Sequence, residues 1–329
     1  MMKKAIVLGA GGFIGNHMVN RLKSEDYFVV GADLKYPDFS STNADEFQIL
    51  DLTSGYDFEN LLNNHHDATE IYQYAADMGG AGFIFTGDND ADIMHNSCLI
   101  NINLLRGIVN NLDVKKLKVF YSSSACIYPE EIQSSNKNIS LKEIDAYPAN
   151  PDSEYGWEKL FSERLYLSYK KNYKLNTKIA RFHNIYGPLG TWEGGREKAP
   201  AAVCRKVSEV ESGGTIEIWG DGEQTRSFLY IDDCIEATRR LMESNVNSPI
   251  NIGSEEMVTI NELVKIVAQN ANKVVEINHI DGPLGVRGRN SNNDMIRENL
   301  QWDYQISLSE GINKTYNWID GQVKESNKD

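Results

Sequence analysis

Cysteine is scarce in this chain, with four in 329 residues (Cys98, Cys126, Cys204 and Cys234), and none forms a C-x-x-C pair. That spacing argues against a disulfide framework and a structural zinc site, so no metal is expected. Basic charge is also short: 33 Lys and Arg against 47 Asp and Glu leave a net charge of -14 at pH 7. Nucleic acid and anionic membranes select basic surfaces, so neither is expected as a partner. An anionic ligand would have to meet a local cluster of cations. No apolar run approaches the roughly 20 residues that a bilayer requires. The start, Met1-Met2-Lys3-Lys4, leads into a short apolar run ending in glycines. It lacks the longer apolar region and small-residue cleavage site of a signal peptide, and a cytoplasmic location is expected. Internal repeats are absent, and a polar tail at 324–329 is the only biased segment.

What is present is alternation. Apolar runs at residues 5–8, 27–32, 46–50, 70–75, 117–122 and 177–181 read as buried strands. Helical patterns lie between them at about 12–24, 96–112 and 155–173. Strand-helix alternation implies right-handed βαβ units and a parallel sheet covered on both faces. After Asn184 the texture changes to Gly- and Pro-punctuated segments, with a helix at about 200–210. The expected fold is α/β: a Rossmann-type doubly wound parallel sheet with a smaller C-terminal α/β substrate domain. Residues 1–184, with a return segment at about 225–253, make the nucleotide-binding part. Residues 185–224 and 254–329 make the substrate part.

Gly9-Ala10-Gly11-Gly12-Phe13-Ile14-Gly15 joins the first strand to the first helix. Gly9, Gly12 and Gly15 permit a tight turn, close approach of backbone to a pyrophosphate, and close helix-strand packing. The N–H groups at Phe13, Ile14 and the rest of the first turn then face the phosphate charge. Asp33 ends the second strand about 20 residues later, where an acid accepts from ribose hydroxyls and disfavours a 2′-phosphate. NAD is therefore the expected cofactor. Asp51 and Leu52, after the third strand, flank the adenine or form a surface turn.

Tyr155 and Lys159 stand at i and i+4 on one helical face. A tyrosine ionises at about 10, too high for a base at neutral pH unless nearby positive charge lowers the cost. Upstream, Ser122-Ser123-Ser124 ends a strand at the sheet edge where open α/β sheets bind ligands. The dinucleotide loop, Ser124 and Y-x-x-x-K together form a specific constellation.

These residues resemble the extended short-chain dehydrogenase/reductase family. The likeness continues through Arg181-Phe-His-Asn184-Ile-Tyr-Gly-Pro188, Gly220-Asp-Gly-Glu-Gln-Thr-Arg226-Ser-Phe and Asn251-Ile-Gly253. It implies that Ser124, Tyr155 and Lys159 oxidise a sugar hydroxyl, usually at C4, of a nucleoside-diphosphate sugar. A C4 ketone makes the hydrogens on C3 and C5 acidic, because the carbanion is delocalised. Dehydratases of the family carry an Asp-Glu pair just after the Ser or Thr; here Ala125 and Cys126 stand there. The thiol, with an ordinary pKa of about 8.5, is suited to moving a proton. It is equally a small buried hydrophobe by type.

Within the family, Ala75-Ala-Asp-Met-Gly79-Gly, Ser123-Ser-Ala-Cys126-Ile-Tyr-Pro-Glu, Gly194-Gly-Arg-Glu-Lys198-Ala-Pro and Gly285-Val-Arg-Gly-Arg289-Asn-Ser are similar to the GDP-mannose 3,5-epimerases. The resemblance implies NAD-dependent epimerisation at C3 and C5 through a transient 4-keto sugar. It implies GDP-L-galactose as product, with GDP-L-gulose from single epimerisation, and a homodimer built on the helices at 96–112 and 155–173. Cys126 and Lys198 would be the paired acid and base. Substrate contacts would fall to Gly79, Ser124, Ala125, Cys126, Asn184, Glu197, Lys198, Ala199, Lys206, Gln224, Thr225, Arg226 and Arg289. Of these, Lys206, Arg226 and Arg289 are the cations for the pyrophosphate and guanosine end, since the Arg fork suits phosphate. The likeness is weakest over 83–97, which leaves another GDP-sugar, such as a manno-heptose, open as substrate. Reactions that stop earlier (C4 epimerisation or release of a keto sugar) and an NAD-binding sensor on the same fold are the rivals.

Overall fold

The computed structural model describes residues 2–327. Its centre is a sheet of seven parallel strands. In chain order they are β1 (Lys4–Leu8), β2 (Phe28–Asp33), β3 (Glu46–Ile49), β4 (Glu70–Gln73), β5 (Lys118–Ser124), β6 (Asn176–Phe182) and an edge strand, Ile250–Ile252. Across the sheet the edge strand lies beside β6, followed by β5, β4, β1, β2 and β3. The order reverses at β1 and β4, which opens a crevice at the strands' carboxyl ends.

β1 and β2 are almost wholly apolar because both faces are covered, whereas β4, β5 and β6 also carry buried polar residues and the edge strand β3 (Glu-Phe-Gln-Ile) is half exposed. In β1, Ala5 and Val7 enter one core and Ile6 and Leu8 the other, as the two-residue period of a strand requires. The first core takes Met18, Val19 and Leu22 of α1 (Phe13–Ser24). The second takes Phe58, Leu61 and Leu62 of α2 (Gly55–Asn64), with Ile100, Leu104 and Ile108 of α4 (Asp90–Asn111) and Tyr166 of α5 (Glu154–Tyr173). A short helix, α3 (Ala81–Ile84), precedes α4.

Three elements differ from the sequence reading. That reading assigns nothing to α2, whose apolar stripe is three residues among Asn and Asp; Ser54 caps it by accepting from the Asp57 N–H. The helix read from 96 begins at Asp90, where acidic Asp90 and Asp92 suit the positive end of the helix dipole. The polar tail begins as helix: α10 (Leu308–Ser326) runs into it because Ile319 and Val323 stay buried on one face. Lys328 and Asp329 of that tail lie outside the described residues.

Beyond β6, α6 (Ala199–Glu209), α8 (Ile260–Asn270) and α10 pack together. α7 (Ile231–Glu243) returns the chain to the main sheet, and α9 (Asp294–Leu300) follows α8 in the chain. Strand Gly214–Trp219 pairs with Val275–Ile280. A three-stranded sheet joins Met257–Thr259, Thr225–Ser227 and Gly288–Arg289, with Arg289 directly opposite Arg226. That register brings two guanidinium groups beside the end of β5.

Candidate active site

The glycine turn runs from β1 into α1. Gly9 has φ +82, and a Cβ there would lie 2.7 Å from the Ala75 nitrogen. A Cβ on Gly15 would fall 2.0 Å from the Gly9 carbonyl oxygen, which is the close helix-strand approach. Gly12, the N-cap, offers no side-chain cap, so the N–H groups at Phe13 and Ile14 remain free for a phosphate. Asp33 accepts from the Gly11 N–H at 2.9 Å and from the Leu34 N–H at 2.7 Å. Burial nonetheless raises its pKa, opposed by those backbone donors. The turn, the uncapped helix and an acid with lone pairs to spare fit a dinucleotide. Asp51 is exposed and accepts from the Thr53 N–H and hydroxyl, while Leu52 packs into the second core.

Ser124 ends β5 and its hydroxyl accepts from the Cys126 N–H at 3.2 Å, opening a 3-10 turn at Ala125–Ile127. Tyr155 and Lys159 project from the first turns of α5, which Ser153 caps through the Gly156 N–H. The Lys159 Nζ donates to the Ser122 carbonyl at 3.0 Å and lies 5.7 Å from the Tyr155 ring centre. Burial pushes the Tyr155 phenol above its ordinary pKa, with Cys126 adding and Ser124 opposing. Burial likewise lowers the Lys159 ammonium, against the pull of Glu158 and Cys126. In the protein alone Tyr155 is therefore a neutral phenol. It becomes a base only when positive charge beyond that of Lys159 arrives beside it.

Cys126 is half-buried, and Arg289 Nη1 donates to its sulfur at 3.0 Å. Arg289 Nε donates to Gln133 Oε1 at 2.6 Å and Nη2 to Asp152 Oδ2 at 2.8 Å. Lys198, the N-cap of α6, faces the same thiol; burial lowers its pKa, with Cys126 and then Cys234 opposing. A thiol and a depressed ammonium next to the Ser-Tyr-Lys set can exchange protons at carbon.

The other candidates divide. Arg226 joins the cluster, but its guanidinium is spent on the Thr225, Leu284 and Val286 carbonyls. Lys206 stands apart, donating to the Glu217 carbonyl at 2.6 Å, with Arg205, Glu217, Glu197 and Glu209 as its charged neighbours. Glu197 accepts from the Gly195 N–H and pairs with Arg205. Asn184, at φ +46, donates to the Ser227 carbonyl. Gln224 donates to the Trp219 carbonyl and keeps a buried, unpartnered Oε1, an acceptor open to a ligand. Thr225 donates to the Asn136 carbonyl. Ala125 is buried, Ala199 begins α6, and Gly79 packs on Phe83, where a Cβ would lie 2.7 Å from the phenylalanine Cβ.

Sequence reasoning missed Gly11, Gln133 and Asp152. A Cβ on Gly11 would sit 2.1 Å from the Lys35 carbonyl oxygen. The G-A-G-G run carries that signal, but the fingerprint spacing draws attention to Gly9, Gly12 and Gly15 instead. Gln133 and Asp152 carry none, since they meet Arg289 from 156 and 137 positions away. Among the described residues no cluster of His, Cys, Asp and Glu is suited to a metal, and no helix is long and apolar enough to cross a membrane.

The profile of the NAD dependent epimerase/dehydratase family matches residues 5–253. GDP-mannose 3,5-epimerase of Arabidopsis thaliana is 46% identical over 323 residues, covering 98% of this chain and 83% of that protein. GDP-mannose 3,5-epimerase 1 of Oryza sativa subsp. indica is 45% identical over 320 residues, covering 97% and 82%. The structure of UDP-glucuronic acid 4-epimerase from Bacillus cereus in complex with UDP-glucuronic acid and NAD is similar, with a TM-score of 0.81 at 26% identity, covering 97% of this chain and 99% of that one. UDP-glucose 4-epimerase of Thermotoga maritima, with a TM-score of 0.82 at 23% identity over 97% and 99%, shares the fold.

Proposed function

The chain belongs to the NAD dependent epimerase/dehydratase family, and from that premise we propose that it inverts C3 and C5 of GDP-mannose through a transient 4-keto sugar. The product is GDP-L-galactose, with GDP-L-gulose from partial reaction. The observation that carries this reading is the Cys126 thiol, held by Arg289 and coupled to Lys198, in the middle of the turn that Ser124 opens. The 46% identity to the Arabidopsis enzyme supports the choice of sugar.

When bound, NAD supplies a hydride acceptor, and later the donor, at C4. Tyr155 takes the C4 hydroxyl proton as the hydride leaves, and Ser124 donates a hydrogen bond to the resulting carbonyl oxygen. Lys159, held by the Ser122 carbonyl, keeps positive charge near the phenolic oxygen. Cys126 and Lys198 then work on opposite faces of the ring. One removes the proton from a carbon flanking the carbonyl, and the other delivers a proton from the far side, inverting the centre. Return of the hydride restores the C4 hydroxyl and Tyr155 returns its proton, so net redox change is zero.

The experiment is incubation with GDP-mannose in deuterated water, followed by NMR of the sugar. Deuterium at C3 and C5 without net formation of reduced cofactor is the expected result. Unchanged sugar, or label at neither carbon, refutes the reading.

The proposal includes a homodimer in the cytoplasm. Trp157 and Phe161, one turn apart on α5, are 40% and 46% exposed, and Ile102 on α4 is 39% exposed. These side chains support an α4–α5 interface, which Phe161→Asp should dissociate in sedimentation. The four cysteines are all free, as suits a compartment that keeps thiols reduced, which supports the location.

A further inference from the structure

One guanidinium donates to the Cys126 sulfur and three further cations stand close enough to couple to it, from four elements in all. Arg289 and Arg226 come from adjacent strands, Lys198 from the N-terminus of α6, and Lys159, with the Tyr155 hydroxyl, from α5. Against them Asp152 sets one carboxylate. Its side chain and that of Arg289 are 4% and 5% exposed, and the pair is 2.8 Å apart. Glu158, the acid coupled to Lys159, has its Oε1 taken by Ser162 and Asn101. Arg289 is thus aimed by two acceptors, Asp152 and Gln133, and its remaining direction ends on sulfur.

The physical consequence concerns charge. A buried guanidinium with no counter-ion stabilises a thiolate beside it and resists its protonation. A group that takes a proton from carbon and gives one back works best when both of its forms are accessible at the working pH. A carboxylate on the far side of the guanidinium restores that balance without removing the hydrogen bond to sulfur.

We propose that Asp152 is the positioning residue of Cys126: it turns Arg289 Nη1 onto the sulfur and sets a carboxylate against the guanidinium charge there. This rests on the reading of Cys126 as a proton-transfer group, but its test does not depend on turnover. The isosteric change Asp152→Asn keeps the oxygen that accepts from Ser153 while removing the charge.

The test is the rate of Cys126 alkylation by iodoacetamide against pH, read on the Cys126 peptide by mass spectrometry. Alkylation follows the thiolate fraction. Asp152→Asn should lower the midpoint by roughly one to three pH units, the usual effect of unmasking an opposite charge at this range. Asp152→Ser, which adds no amide beside the guanidinium, should move it the same way, and Asp152→Glu should keep it at the wild-type value. Mere loosening of the structure would raise the rate at every pH and leave the midpoint in place. An unmoved or raised midpoint in the Asn and Ser variants overturns the inference. If the wild type incorporates deuterium while that midpoint stays put, the proposed function stands and this inference falls. If the midpoint drops but the wild type exchanges nothing, the role of Asp152 stands and the proposed function falls.

Discussion

Glu163→Gln removes one charge from the pair that ties β5 to α5 and β6. Glu163 Oε1 accepts from the Ser123 hydroxyl at 2.5 Å and from Arg181 Nε at 3.0 Å, and Oε2 accepts from Arg181 Nη2 at 3.0 Å. Arg181 Nη1 donates to the Tyr128 hydroxyl and the Glu143 carbonyl. The two side chains are 2% and 4% exposed, so water cannot replace a lost partner. Breaking one side of a buried pair costs about 3–5 kcal/mol, because it leaves the other charge uncompensated. Glutamine keeps one acceptor oxygen, which places the cost near the lower end, about 3 kcal/mol. Urea unfolding followed by tryptophan fluorescence measures it. Glu163→Gln with Arg181→Met should be less costly than Glu163→Gln alone, since no orphan charge remains. Ser123 precedes Ser124, so kcat should fall more than KM rises as Ser124 loses its register with Tyr155. A single-variant loss under about 1 kcal/mol, the level of an exposed ion pair, would refute the reasoning.

Gly11→Ala should weaken NAD binding and cost about 1–3 kcal/mol by overpacking, because its Cβ meets the Lys35 carbonyl oxygen at 2.1 Å. Gly12→Ala meets only the Gly9 carbonyl oxygen at 3.3 Å, and equal stability losses in the two variants would contradict this. Burial lowers the pKa of His183 from 6.5 to about 3, so the folded protein keeps it neutral where the unfolded chain is protonated. The unfolded state then binds more protons, and stability falls with pH below 6.5 by about 1.4 kcal/mol per unit until about 3. His183→Gln should flatten the slope measured by chemical unfolding between pH 6 and 4, and an unchanged slope would count against it. Cys126→Ser should abolish deuterium exchange at the carbons yet leave sugar-dependent reduction of the bound cofactor detectable by its fluorescence. Loss of both together would make the cysteine structural.

The readable parts of the site are those whose partners lie close in the chain. The glycine turn with Asp33, and Tyr155 with Lys159, follow from strand-turn-helix order and from the i, i+4 geometry of a helix. Ser124 follows from its place at the end of an apolar run. β1 and β2 were legible because burial on both faces makes them almost continuously apolar, whereas α2 was not, its three buried side chains being too sparse to show a period.

Elsewhere the sequence was silent. Cys126 and Arg289 are 163 positions apart, and no local pattern announces that one donates to the other. Asp152 reads as a residue beside a helix cap until the strand Gly288–Arg289 brings a guanidinium to it. Lys206, grouped with Arg226 and Arg289 by the family resemblance, donates instead to the Glu217 carbonyl of strand Gly214–Trp219. Composition, periodicity and motif spacing determined the sheet, the dinucleotide turn and the grouping of Tyr155 with Lys159, since each depends on neighbours within a turn or a strand. Only the tertiary structure decided which charges surround the thiol, because those contacts arise from packing between segments that the chain keeps far apart.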